Sequence, residues 1–291
     1  MGLRVLAVVL VLAGVAHADP NADVTQAFGA FIDGVATGKG SLTGVDVFVS
    51  PLSDETDDDG VAARVPSDLA DVKALIASSK LKVTKVVVSK GGKSAWIAGE
   101  VSGKVERKGK KKTEPIRVSA FLGKDDKGWH VQATHWSVGE KDTKTEMCGS
   151  LEPWRVAANV PKDADATVKA VYAALEGDWL MEGGVKTSKF GKLLSDDKNA
   201  VAIGSAPKEV FTGGAKIKSV FKKWQISANL DEGKPQARAG IGPDGEMMWI
   251  AMSVTAPPDL CTAYRTLFVL AKESSGWRIV HHHYSQRLNP Y

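Results

Sequence analysis

The sequence predicts an α+β fold built twice in tandem, on three observations. A series of tryptophan, arginine and histidine motifs recurs along the chain, a segment of helical period opens each copy, and β-rich segments close it. The 291 residues suit two domains of average size, each large enough to bury its own core. Hydrophobic residues at 43% and charged residues at 25% are the proportions of a globular protein and exclude a disordered or fibrous one.

Residues 1–18 pair an early positive charge at Arg4 with the apolar run from Leu6 to Val15 and the step Ala16-His17-Ala18 ahead of Asp19-Pro20. This is the plan of a secretory signal peptide cleaved after Ala18. The run is shorter than the ~20 residues that cross a bilayer. No cysteine stands at the cleavage point to carry a lipid, and no later segment is apolar enough to span. The expectation is a periplasmic or secreted protein with no membrane insertion after cleavage. Its first domain covers residues 19–139, a linker with Pro153 and Pro161 covers 140–162, and a second domain covers 163–291.

Each copy opens on an amphipathic helix. Val24, Phe28, Phe31, Ile32 and Val35 follow the capping candidate Asp23, and Val168, Val171, Tyr172 and Leu175 follow Asp165. The strands expected next in the first copy are 82–89, 94–103, 116–122 and 129–138. In the second they are 217–230, 246–255, 263–272 and 276–286, with Gly91-Gly92 and Pro243-Asp244-Gly245 as turns. Helices first and antiparallel strands afterwards place the helices on one face of a curved sheet. The repeat is clearest where Gly128-Trp129-His130-Val131 answers Gly276-Trp277-Arg278-Ile279 and His135-Trp136-Ser137 answers His283-Tyr284-Ser285. Arg117 and Arg265 stand equally far upstream, and Trp96-Ile97-Ala98 answers Trp249-Ile250-Ala251.

The second copy resembles the SnoaL-like group of the nuclear transport factor 2-like superfamily. The residues that carry the likeness are Gly177-Asp178, Phe190, Leu193 to Asp197, Ala202 to Glu209 with Gly213, and Gly276 to Ser285. The first copy shares mainly Trp96 and Gly128 to Ser137. The resemblance implies two tandem cone-shaped domains, each a bent antiparallel sheet wrapped around N-terminal helices with a pocket between them. It also implies an intramolecular pseudo-dimer of the two repeats, since pairing through sheet faces is common in that superfamily. Members include polyketide cyclases and isomerases and many proteins that only bind. The cyclases use an acidic residue as acid/base, and no carboxylate here matches that role.

The candidate site lies on the last strand. Strict alternation would put Trp277, Ile279, His281, His283 and Ser285 on one face and Arg278, Val280, His282 and Tyr284 on the other. If the first face looks into the cone, His281 and His283 enter the pocket together, with Tyr172 and Trp179 near the second copy's first helix as further lining. The imidazoles have three readings: hydrogen-bonded core histidines, ligand contacts, or groups for metal binding or catalysis. No third protein ligand stands in a recognisable motif, so neither metal nor cofactor is expected. The preferred function is non-catalytic binding of a small apolar or aromatic molecule, or protein interaction, through the pocket of the second domain. The alternative is an enzyme of the polyketide cyclase or isomerase type with His283 as acid/base and His281 orienting it.

The charge is mild at +4. The basic stretch Lys104, Arg107, Lys108, Lys110, Lys111 and Lys112 lacks interleaved aromatics, so it reads as a solvated hairpin tip with no nucleic-acid partner. The acidic run from Asp54 to Asp59 lacks the spacing of a calcium loop and reads as disordered loop. Cys148 and Cys261 could bridge in an exported protein or remain separate thiols.

Overall fold

The computed structural model describes residues 19–40, 44–49, 51, 69–140, 189–222, 237–255 and 263–286. The leader, most of the linker, the acidic run, both cysteines, the second copy's first helix, Tyr172 and Trp179 lie outside the described residues. Among those described, no helix is long and apolar enough to cross a membrane.

The first domain opens on α1 (Pro20–Thr37), whose Asp19 side chain accepts the Asn21 amide at 3.0 Å. The cap is thus Asp19 and not Asp23, because Pro20, with φ already helical and no amide to satisfy, lets the helix start earlier. Gly38 in the left-handed conformation ends it. Val24, Phe28, Ile32 and Val35 are buried on one stripe, which lies against β2, β3 and β5. After β1 (Val47–Val49) and a helical stretch at 69–75 come β2 (Ile76–Val88), β3 (Ser94–Arg107), β4 (Lys110–Asp125) and β5 (Gly128–Val138). The sheet order is β1-β5-β4-β3-β2. Lys108 and Gly109, both at positive φ, turn the β3–β4 hairpin, and the lysines at 108 and 110–112 stand exposed at its tip. Arg107 is instead held by Glu140 at 2.6 Å and Glu114 at 3.0 Å.

The second domain shows α2 (Lys189–Leu193), β6 (Val201–Ile203), β7 (Val210–Thr212), α3 (Gly214–Phe221), β8 (Ala237–Ile241), β9 (Met247–Thr255), β10 (Ala263–Glu273) and β11 (Gly276–Ser285). Its sheet runs β7-β6-β11-β10-β9-β8. The molecule is α+β with two sheets, and each sheet departs from the expected antiparallel plan at one place: β1 runs parallel to β5 and β6 parallel to β11. Such three-residue strands are too short for a period to register. The expected strand 217–230 is corrected at its start, where residues 217–221 end α3 and Ile217 and Phe221 bury one face of it four residues apart; residues 223–230 lie outside the described residues.

The two sheets repeat each other in detail. Val47 and Val49 pair with Ala133 and His135 as Val201 and Ile203 pair with His281 and His283. Each long hairpin carries a bulge at the equivalent residue, Gln132 in β5 and Val280 in β11. The bulge resets the side-chain alternation, because an extra residue on one strand shifts all that follow to the other face. Trp277 and Ile279 therefore share a face with His282 and Tyr284, and not with His281, His283 and Ser285 as strict alternation predicts.

One face of the second sheet packs Met248, Ile250, Phe268, Leu270, Ile279 and Tyr284 against Phe190, Ile217 and Phe221 of its own helices. The opposite face, with Met247, Trp249, Ala251, Leu267 and Val269, joins Trp96, Ala98, Phe121 and Ala133 of the first sheet in one buried cluster. At the edge of this seam the β8–β9 turn docks on the β2–β3 turn. Asp244 accepts the hydroxyls of Ser89 and Ser94 and the Lys93 amide. Burial alone would raise the Asp244 carboxyl, but these hydrogen bonds more than offset it and hold it below the usual carboxylate range. Asp244→Ala is expected to lower stability by about 2 kcal/mol, because two hydroxyls lose a charged acceptor. Urea unfolding at neutral pH checks this.

Candidate functional site: the histidine ladder between the sheets

Arginine and serine face each other across the strands in both copies: Arg117 pairs with Ser137 and Arg265 with Ser285. One step along, His135 pairs with Ser119 and His283 with Leu267. All these side chains are buried where the sheets meet, so each polar atom must find a protein partner there.

The partners form a chain. The carbonyl of Val201 accepts from Nδ1 of His281 at 2.9 Å, which fixes the His281 proton on that nitrogen and leaves Nε2 as an acceptor. Nε2 takes the Ser119 hydroxyl at 2.8 Å. Ser119 Oγ in turn accepts from Nδ1 of His283 at 2.9 Å, and His283 Nε2 takes the Ser137 hydroxyl at 2.7 Å. Ser137 Oγ accepts the Nε hydrogen of Arg117 at 3.2 Å. The carbonyl at one end and the guanidinium at the other give every proton in the chain one direction. On the mirror side, Ser285 meets His135 Nε2 at 2.7 Å and accepts from Arg265 at 3.2 Å. The rings of His135 and His283 stack at 4.1 Å between centroids, and His281 stacks on Trp96 at 4.7 Å.

The ladder is uncharged except at its arginines. Burial drives the imidazole of His281 down to about 4, opposed by the hydrogen bond it donates to the Val201 carbonyl. Burial, then the neighbouring arginines and histidines, drives His135 and His283 well below the ordinary value. Arg117 falls to about 10 through burial, opposed by Glu209, Glu100 and Glu140, and so stays cationic at neutral pH. It donates to the carbonyls of Gly204, Ala206 and Ser205 at 2.7, 2.9 and 3.3 Å, crossing from the first sheet to the loop after β6. There the Glu140 amide donates to the Ser205 carbonyl at 2.9 Å, and Gly139 passes so close that a Cβ would lie 2.8 Å from the Pro207 Cα.

The sequence-named pair His281 and His283 is thus brought together, but between the sheets and with all four ring nitrogens bonded to protein. The expectation that they enter the cone together is corrected by the bulge at Val280; the histidine on the inner face is His282. Its ring lies between Phe268 at 4.5 Å and Phe221 at 5.3 Å, with Tyr284 edge-on at 4.9 Å. Among the described residues His282 Nε2 has no hydrogen-bond partner, and burial holds this imidazole neutral. Ser119 and His282 were missed because a lone serine in a strand is unremarkable and a bulge leaves no periodic signal. No group of three His, Cys, Asp or Glu side chains among the described residues could hold a metal. A separate cleft of about 560 Å³ opens at the seam over Trp96, Met247 and Val280, edged by Lys90, Lys272 and Glu273.

Residues 187–289 match the model of the SnoaL-like domain. The segment 187–289 is SnoaL-like. None of the curated proteins matches the chain. Among solved structures, a DUF3225-family protein of unknown function from Pectobacterium atrosepticum is similar at 24% identity over 43% of this chain and 88% of its own, with a TM-score of 0.30. An NTF2-like protein of unknown function from Pseudomonas putida is similar at 12% over 43% and 87%, TM-score 0.32. A nuclear transport factor 2-like superfamily protein from Salmonella enterica is similar at 17% over 44% and 96%, TM-score 0.32. In the SnoaL-like domain the matched span includes the whole of β11, and so both the ladder histidines and His282.

Proposed function

We propose that the chain is an exported, non-catalytic binding protein. Its two copies pair as an intramolecular pseudo-dimer, and the SnoaL-like domain takes a small apolar or aromatic molecule on the inner face of its sheet. The observation that carries the binding is His282, a neutral imidazole between two phenylalanine rings with Nε2 unpartnered among the described residues. An apolar surround with one polar anchor is the make-up of a small-molecule site. The pairing draws on the ladder, which consumes buried polar groups of one copy with those of the other.

The reading of His283 as acid/base loses its support. A general base must reach a substrate proton, and both nitrogens of His283 are spent on Ser119 and Ser137. Export draws on residues 1–18, and cleavage after Ala18 leaves the capping Asp19 as the first residue of the mature chain. Binding is tested by titrating the mature protein with 2-naphthol, followed by NMR. Saturable shifts near His282, weakened about fivefold or more in His282→Leu, are the expected result. Absence of saturation, or an unchanged affinity in the variant, contradicts the proposal.

A further inference from the structure

The contact of Ser119 with His281 has no polar counterpart across the ladder. The relation that carries His135 to His283 and Ser137 to Ser285 also carries Ala133 to His281 and Ser119 to Leu267, since strand register and bulge agree in the two hairpins. On one side a small serine meets a large imidazole at 2.8 Å. On the other, the same relation sets a large Leu267 with a small Ala133, both fully buried in the cluster between the sheets. One orphan follows directly: His283 Nδ1 has Ser119, whereas His135 Nδ1, whose place would need a serine at 267, has no partner among the described residues.

Size and polarity therefore match only when the first sheet meets the second. Two first-domain faces would set Ser119 against Ala133, small on small, and open a cavity twice by symmetry. Two second-domain faces would set Leu267 against His281, large on large, and leave His281 Nε2 and His283 Nδ1 facing methyl groups. We propose that these two complementary pairs, Ser119 with His281 and Leu267 with Ala133, are the code by which the sheet of the first domain accepts that of the second and neither accepts itself. The code rests on the pseudo-dimer reading, and it makes the two copies dedicated partners whose joined faces are closed to a second chain.

The test is a double-mutant cycle in the full mature chain. Ser119→Leu sets large on large and His281→Ala sets small on small, so each raises the unfolding constant about 30-fold or more. The double variant rebuilds the leucine and alanine arrangement that the repeat relation assigns to 267 and 133, and its constant is at least tenfold below the product of the singles. If Ser119→Leu does not fold, a double variant that folds is the same rescue, and one that does not fold overturns the code. The mirror exchange, Ala133→His with Leu267→Ser, reads the same coupling independently. Multiplicative effects in both cycles, or neutral singles, overturn it. Diethyl pyrocarbonate labelling of the unsubstituted protein separates the two levels. If His281 and His283 react as readily as His130, whose side chain is 35% exposed, the pairing itself fails. If they are protected while the cycles show no coupling, the code alone fails.

Discussion

Acidification from pH 7 to pH 4 is expected to strip the protein of more stability than any single conservative substitution in either core. The histidines His135, His281, His282 and His283 are buried and neutral, with folded pKa values below the ordinary 6.5. The unfolded chain binds protons there first, so the contribution of each is fully present above pH 6.5 and is lost as pH falls towards the folded value. For His281, with a folded value of about 4, this amounts to about 3 kcal/mol. With all four titrating together, the slope approaches about 5 kcal/mol per pH unit. Asp46 and Glu140, raised chiefly by burial, act in the opposite sense at the acid end. The physical event is a cation forced into a stack of two rings whose centroids lie 4.1 Å apart, beside two guanidiniums. Urea unfolding at intervals from pH 7.5 to 4.5 should give a flat midpoint above about pH 7 and a steep fall below 6.5. A midpoint indifferent to pH down to 4.5 contradicts this.

Arg117→Met is expected to be the most damaging single change at the seam. It keeps the aliphatic stem but takes the guanidinium away from the carbonyls of Gly204, Ser205 and Ala206, the last two of which keep only the Glu140 and Glu209 amides, and leaves Ser137 without the hydrogen bond that orients its hydroxyl towards His283. Breaking a buried charged group out of such a set costs about 3–5 kcal/mol. Denaturant unfolding of Arg117→Met beside the unsubstituted protein at pH 7.5 measures the loss. A loss below about 1 kcal/mol for Arg117→Met would mean that the loop after β6 does not depend on the first sheet.

Much of this was readable before any coordinates. The apolar stripe of α1, the β-branched strands of both hairpins and the repeated glycine, tryptophan and histidine motifs are strong periodic or positional signals, and they located both sheets and the SnoaL-like likeness. Legibility ended where the signal is a single residue. Val280 contributes one unpaired position to β11, and no count of alternation can see it, yet it takes His281 and His283 off the face of Trp277 and Ile279 and puts His282 there instead. The strands β1 and β6 are three residues long, below any periodic window. The hydroxyl partners of His135, His281 and His283 come from the other copy, so the role of Ser119 depends on a contact more than a hundred residues away in the chain.

The pairing of the copies through an ordered ladder is the central claim, and the tautomers of its histidines test it most directly. A long-range ¹H–¹⁵N spectrum of the uniformly labelled mature protein at pH 7 should show His281 and His283 as neutral rings protonated on Nδ1, unchanged on titration down to about pH 6. Rings that average between tautomers and titrate near the ordinary histidine value would place them in water and contradict the account.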